Sequence, residues 1–219
     1  MTARTSTFRV FRIVETVPHI NLFDTENDRL YTVFESGYQD RQPAVDDLRT
    51  GDVIEATVAG DPDADDEPWR LDTFTRVDRV GMDFAVDADP PAVAEDLWDD
   101  GLERPARTTL EADPGGEPVA ELYVQPREPL PSGAFVPNVL TGLVPMEPWL
   151  RELPTVGVPA AHAMFIDPDP PDARRFSRPY GVIALFGPDA EATLAEFRRR
   201  YDLPADADTR PEFDPYAIG

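Results

Sequence analysis

The sequence predicts an α+β protein in two modules: a β-rich, small barrel-like N-terminal domain of OB-like type (1–86) and a C-terminal α+β sheet domain (107–204). Residues 87–106 connect them and 205–219 form a tail. Three observations carry this. Residues 51–80, GDVIEATVAGDPDADDEPWRLDTFTRVDRV, read as one long β-hairpin. Three further β-prone runs precede it and have nothing else local to pair with. Near the C-terminus, two short apolar runs are followed by one amphipathic helical repeat.

Phe8–Val14 carries apolar residues on both faces toward its end, as a strand buried in a barrel would, and Pro18 closes the segment. Residues 20–24 and 29–35 flank the polar turn Thr25-Glu26-Asn27-Asp28 and make a second hairpin. Between Pro43 and Arg49, Ala44, Val45 and Leu48 suit one or two helical turns, which Gly51 ends. Five strands with a short helix between the third and fourth fit a small OB-like barrel, and equally other curled sheets.

Pro90-Pro91 opens a helix at Ala92, with Val93, Ala94, Leu97, Trp98 and Leu102 on one stripe and Gly101 weakening its end. Residues 107–111 and 119–124 read as a hairpin about the turn Asp113-Pro114-Gly115-Gly116. Residues 126–160 hold eight prolines among many apolar residues, which excludes long regular structure. Two short helices fit there, after Pro137 and after Pro148. This stretch reads as an irregular layer packed on the second sheet. The alternative is an exposed partner-binding surface with Phe135, Trp149 and Leu153 as anchors. Residues 161–166 and 180–186 are strands, and Ala190, Leu194, Phe197 and Tyr201 mark a helix that ends in Arg198-Arg199-Arg200, where positive charge suits the negative end of the dipole. Residues beyond Pro204 read as a loosely held tail.

Forty-three acidic residues stand against twenty basic ones, for a net charge of −23, and every basic residue is arginine. At low salt such a chain repels itself; at molar salt the screening length falls to about 3 Å and the penalty nearly vanishes. The composition therefore reads as that of a halophile's cytoplasmic protein. With 41% hydrophobic and 10% aromatic residues, the chain can build a core, which excludes an acidic disordered tail. There is no cysteine, so disulfides, thiolate metal sites and cysteine nucleophiles are excluded. Neither a signal-peptide core nor a run of roughly 18 apolar residues is present.

FRVFRI (8–13), GYQD (37–40), VDDLRTGDVIEATV (45–58), AHAMFID (161–167), YGVIALF (180–186) and FRRRYDLP (197–204) together resemble an uncharacterised family of halophilic archaea, known only as a domain of unknown function. The resemblance covers much of the chain. It implies a halophilic source and lends no activity, ligand or catalytic residue.

Motifs of catalysis are missing. His19 and His162 lie in different halves with no metal-ligand spacing, and none of Ser6, Ser36, Ser132 and Ser177 sits in a nucleophile motif. No glycine-rich phosphate loop occurs, and no cofactor is expected. Asp61-Pro62-Asp63-Ala64-Asp65-Asp66-Glu67 imitates the start of a calcium loop, but its sixth position is Asp66 in place of glycine and Trp69–Asp72 reads as strand, so it is a solvated acidic tip.

One stretch departs from the acidic background. No acid lies between Asp172 and Asp189, and the loop contains Arg174, Arg175, Phe176, Arg178 and Tyr180. Guanidinium groups interleaved with aromatics hold phosphate and stack on bases, contacts that survive high salt. Arg198 and Arg199 extend this patch if the last helix packs back over the adjacent strand. The competing reading pairs the arginines with Asp167, Asp169 and Asp172. In the N-terminal half, Phe11, Tyr31, Trp69 and Phe74 form a stacking platform if they are exposed and core if they are not. The expected function is that of a non-enzymatic binding module for nucleic acid or a ribonucleoprotein, with a protein-interaction adaptor working through 126–160 as the alternative.

Overall fold

The computed structural model describes residues 2–14, 16–64, 67–113, 115–205 and 207–215. They form two compact units: Met1–Gly81 with Leu140–Gly142, and Met82–Val139 with Leu143–Gly219. Both are built on mostly antiparallel five-stranded sheets, so the α+β class holds.

In the first unit, β1 (Thr2–Arg12), β2 (His19–Asp24), β3 (Arg29–Phe34), β4 (Asp52–Gly60) and β5 (Arg70–Arg79) pair in the order β3-β2-β1-β4-β5. β1 starts six residues before the apolar run because its polar segment has a partner: Thr2 to Thr7 pair with Gly60 to Glu55, and the Thr5 and Thr57 hydroxyls are 2.8 Å apart. Phe8, Val10, Ile20, Leu22, Val33, Ile54 and Val58 are fully buried on one face, as period-two alternation requires. The short helix α1 (Gln42–Asp46) adds Val45, with Leu48 just beyond it. Asp24 closes the β2–β3 turn: its carboxylate accepts from the Glu26 and Asn27 backbone N–H groups (3.0 and 3.1 Å) and from Ser6 Oγ (2.7 Å). These bonds outweigh burial and keep its pKa below the ordinary value. Residues 140–142 count with this unit because Asn21 Nδ2 donates to the Thr141 carbonyl (2.9 Å) and Gly142 lies against Phe11 and Leu30.

No closed barrel is found among the described residues. Among the described residues, the backbone link from β3 toward β5 is a parallel bridge between Val33 and Trp69, where Trp69 N–H donates to the Thr32 carbonyl (2.8 Å) and Phe34 N–H to the Trp69 carbonyl (3.0 Å).

The second unit holds β6 (Gly81–Val86), α2 (Ala92–Leu97), β7 (Ala106–Glu111), β8 (Pro118–Pro126), α3 (Phe135–Leu140), α4 (Glu147–Arg151), β9 (His162–Asp167), β10 (Tyr180–Phe186) and α5 (Glu191–Arg200). Its sheet order is β6-β9-β10-β8-β7. β6 was not legible as a separate strand, and by pairing in this sheet it moves the division of the chain from residue 86 to Gly81. Every residue of β9 and β10 is buried, which accounts for two continuous apolar runs with no alternation. Val182, Ala184, Phe186, Leu122 and Met164 share one apolar cluster, against which α2 and α5 place Leu97, Leu194 and Phe197. The Phe186 and Phe197 rings meet edge to face at 5.3 Å.

Apart from Leu140–Gly142, segment 126–160 belongs to this unit and packs on its core. Phe135 and Leu153 are fully buried, and Trp149 is half-buried with its ring stacked on Tyr123 at 4.3 Å. Pro148 sits in the first turn of α4, as expected. α3 starts before Pro137 and contains it near its N-terminus, where a missing N–H costs no helix bond.

Two expectations are corrected. The helix at Ala92 ends at Leu97 and Trp98 is extended (φ −73°, ψ 136°), because Asp99 Oδ1 accepts from the Gly101 N–H (2.8 Å) and turns the chain. The segment beyond Pro204 is not wholly loose, since the Phe84 N–H of the edge strand β6 donates to Thr209 Oγ1 (2.8 Å). Residues 216–219 lie outside the described residues, as do Pro114 of the expected turn and Asp65 and Asp66 of the acidic tip. Trp69 is an isolated bridge residue and strand begins at Arg70, so the segment after the acidic tip is extended, as read from the sequence.

Candidate nucleic-acid interface

The loop 168–179 between β9 and β10 is held from below by a residue that was not singled out in the sequence, Arg127, one position beyond β8. Its backbone N–H donates to the Pro179 carbonyl (2.9 Å). Its Nε donates to the Arg178 carbonyl (2.9 Å) and its Nη1 to the Gly133 carbonyl (3.0 Å). Its Nη2 meets Asp167 Oδ1 at 2.6 Å and Asp169 Oδ2 at 2.8 Å. Asp169 then accepts from the Ser177 N–H (2.7 Å), and the Phe176 ring lies 4.0 Å below the Arg127 guanidinium carbon. The loop is thereby tied at its start through Asp169 and along its last four residues, 176–179.

All three charged members are nearly out of solvent: Arg127 is 4% exposed, Asp167 1% and Asp169 5%. One guanidinium serves two carboxylates, so the cluster carries excess negative charge. Burial pushes the Asp167 carboxyl above the ordinary aspartate value and Arg127 only partly offsets it.

This geometry decides where the predicted residues stand. Arg174 and Arg175 are exposed and make no ion pair among the described residues. Phe176 is half-buried under Arg127. Arg178 reaches Glu95 of α2 at 3.3 Å. Tyr180, 2% exposed, stacks on Trp98 and is core rather than a free platform. The pairing of loop arginines with Asp167 and Asp169 is not what occurs, because Arg127 already occupies both.

The helix arginines form a separate group. Arg198 Nε donates to Asp83 Oδ2 (2.7 Å), the same oxygen that meets His162 Nε2 (2.9 Å), while Arg199 is exposed. No hydrogen bond or ion pair among the described residues joins this group to the loop. Beside it, α5 and the returning chain enclose a cleft of about 410 Å³ lined by Leu194, Arg198, Arg199, Asp202 and Leu203.

The aromatics of the first unit are packed inward. Tyr31 and Trp69 are buried in one core with Phe74 half-buried against it, and Phe11 is buried separately against Gly142, so none of the four stands out as an exposed platform. A polar cleft of about 310 Å³ lies between β3 and the β4–β5 loop, lined by Arg29, Thr32, Asp61 and Glu67 among others. A partner surface through Phe135 and Leu153 is closed off, since both are wholly inside. His19 is half-buried beside Phe34, at 6.2 Å between ring centres. Among the described residues no group of three or more histidines or carboxylates is placed to hold a metal ion.

The missed residues left weak signals. Arg127 looked like any arginine after a proline, and Trp98 fitted the apolar stripe of a helix. Fold and site together define a two-unit α+β protein with an arginine-bearing loop anchored by Arg127. Neither protein-family models nor curated protein sequences give a match to the chain. No helix among the described residues is long and apolar enough to cross a membrane.

Proposed function

We propose that this is a non-enzymatic binding protein for nucleic acid or a ribonucleoprotein, working in the cytoplasm of a halophile, with the loop 174–178 as its contact surface. The observation that carries the reading is the exposure of Arg174 and Arg175 without ion pairs, on a loop pinned by Arg127, in a chain whose acids outnumber its bases forty-three to twenty. A carboxylate-rich protein has partners to spare for its guanidinium groups. Two left free on an ordered loop are therefore available to phosphate oxygens, which they grip in bidentate fashion.

The first unit fits the same reading as an OB-like, incompletely closed barrel. Its strand order, the helix between β3 and β4, and the parallel Val33–Trp69 bridge support that assignment, and such modules commonly bind single strands. The resemblance to a halophilic-archaeal family and the arginine-only basic residues favour a saline cytoplasm.

Fluorescence anisotropy with labelled RNA and DNA oligonucleotides in molar potassium chloride tests the proposal. The Arg174→Glu/Arg175→Glu variant is expected to lose about tenfold or more in affinity with no change in thermal stability, since both side chains are exposed. Equal binding by the variant, or none by the parent protein, removes this function.

A further inference from the structure

The groups flanking the loop extend this reading, on which the following rests, to the kind of strand bound. Trp98 follows α2 in extended conformation and stacks on Tyr180, with ring centres 4.9 Å apart and planes 28° from parallel. Tyr180 is buried and Trp98 half-buried, so the indole is the outer ring of the pair. Its Nε1 donates to Asp100 (3.0 Å), which fixes its orientation. Arg178, two residues before Tyr180, spans to Glu95, three residues before Trp98. An indole and a guanidinium thus flank one surface patch, and the guanidinium is held by a carboxylate standing where a phosphate would stand.

That carboxylate is easily displaced. Both side chains of the Arg178–Glu95 pair are about half exposed, at 49% and 51%, and an exposed pair of this kind contributes little, less still at high salt. A phosphate offers the same guanidinium a stronger, bidentate partner. Stacking on an indole is not an ionic contact and persists in molar salt, but it requires a base with a free face, which a duplex does not supply.

We propose that the Trp98–Arg178 patch takes a single-stranded segment, RNA or DNA, with an unstacked base against Trp98 and its phosphate on Arg178 in place of Glu95. Glu95 acts as an internal competitor for that phosphate.

The test compares a single-stranded oligonucleotide, the same strand annealed to its complement, and inorganic tripolyphosphate as competitor, all in molar potassium chloride. The parent is expected to bind the single strand about tenfold or more tighter than the duplex. Trp98→Leu should weaken single-strand binding by about fivefold or more, and Glu95→Gln should tighten it about two- to fivefold. Equal affinity for duplex and single strand overturns the inference, as does full competition by tripolyphosphate at matched phosphate concentration. An unchanged affinity in Glu95→Gln does the same. In each of these cases binding that still depends on Arg174 and Arg175 leaves the broader function standing. No binding of any probe by the parent ends both. Glu95 is exposed, so its variant keeps the test decisive even if Trp98→Leu fails to fold.

Discussion

The guanidinium of Arg127 sits 4.0 Å over the ring of Phe176 while gripping Asp167 and Asp169 with one nitrogen. A single side chain therefore joins the end of β8, the end of β9 and the loop that carries Arg174 and Arg175. That arrangement anchors an otherwise exposed loop to the folded core, and it sets the first prediction.

Arg127→Ala leaves two buried carboxylates without their cation and uncovers Phe176. Breaking a buried pair in this way costs about 3–5 kcal/mol. Urea unfolding at constant molar salt should show a loss of that order, together with faster proteolysis within 168–179. A loss below about 1 kcal/mol would mean that the loop is held by other contacts.

Gly181 of β10 faces the Phe135 ring so closely that an added Cβ would overlap it. The layer formed by 126–160 depends on this absence of a side chain. Gly181→Ala should destabilise the protein by about 1–3 kcal/mol, the usual range for overpacking. Combining it with Phe135→Leu should return part of the loss relative to the sum of the single changes. Stability equal to the parent's would show that the ring shifts without cost.

Asp83 gives a pH dependence of known sign. Burial opposes its ionisation, but hydrogen bonds to His162 and Arg198 prevail and hold its pKa below the ordinary 3.8. Its contribution is fully present above the unfolded value and is lost as pH falls below 3.8 through the lower folded one. Asp167 behaves oppositely: its folded pKa lies above 3.8, so the cost of keeping it ionised is relieved as pH drops from that raised value toward 3.8. Stability measured by urea from neutral to strongly acidic pH should fall steeply only below 3.8, and Asp83→Asn should flatten that limb. An acid limb as steep in the variant as in the parent would remove Asp83 from the account.

The strands and the last helix were legible because their patterns are local. β10 matches its apolar run at both ends, and β4, β9 and α5 depart by a few residues, since alternation, unbroken apolarity and the three-four repeat are written in neighbouring residues. The polar half of β1 was hidden because only its pairing with β4 makes Thr2 to Thr7 a strand. β6 was hidden because Asp83 interrupts it, and that aspartate is tolerated inside only because His162 and Arg198 come to it from 79 and 115 residues away.

For the site, the chain alone determined which residues carry positive charge and that they stand in a gap free of acids. Which of them are free was decided by tertiary structure: Arg127 takes Asp167 across 40 residues, Arg178 takes Glu95 across 83, and Arg174 and Arg175 are left to solvent. The reason is physical. A guanidinium and a carboxylate find one another by distance in space and by shared exclusion from water, and neither quantity is recorded in the order of residues along the chain.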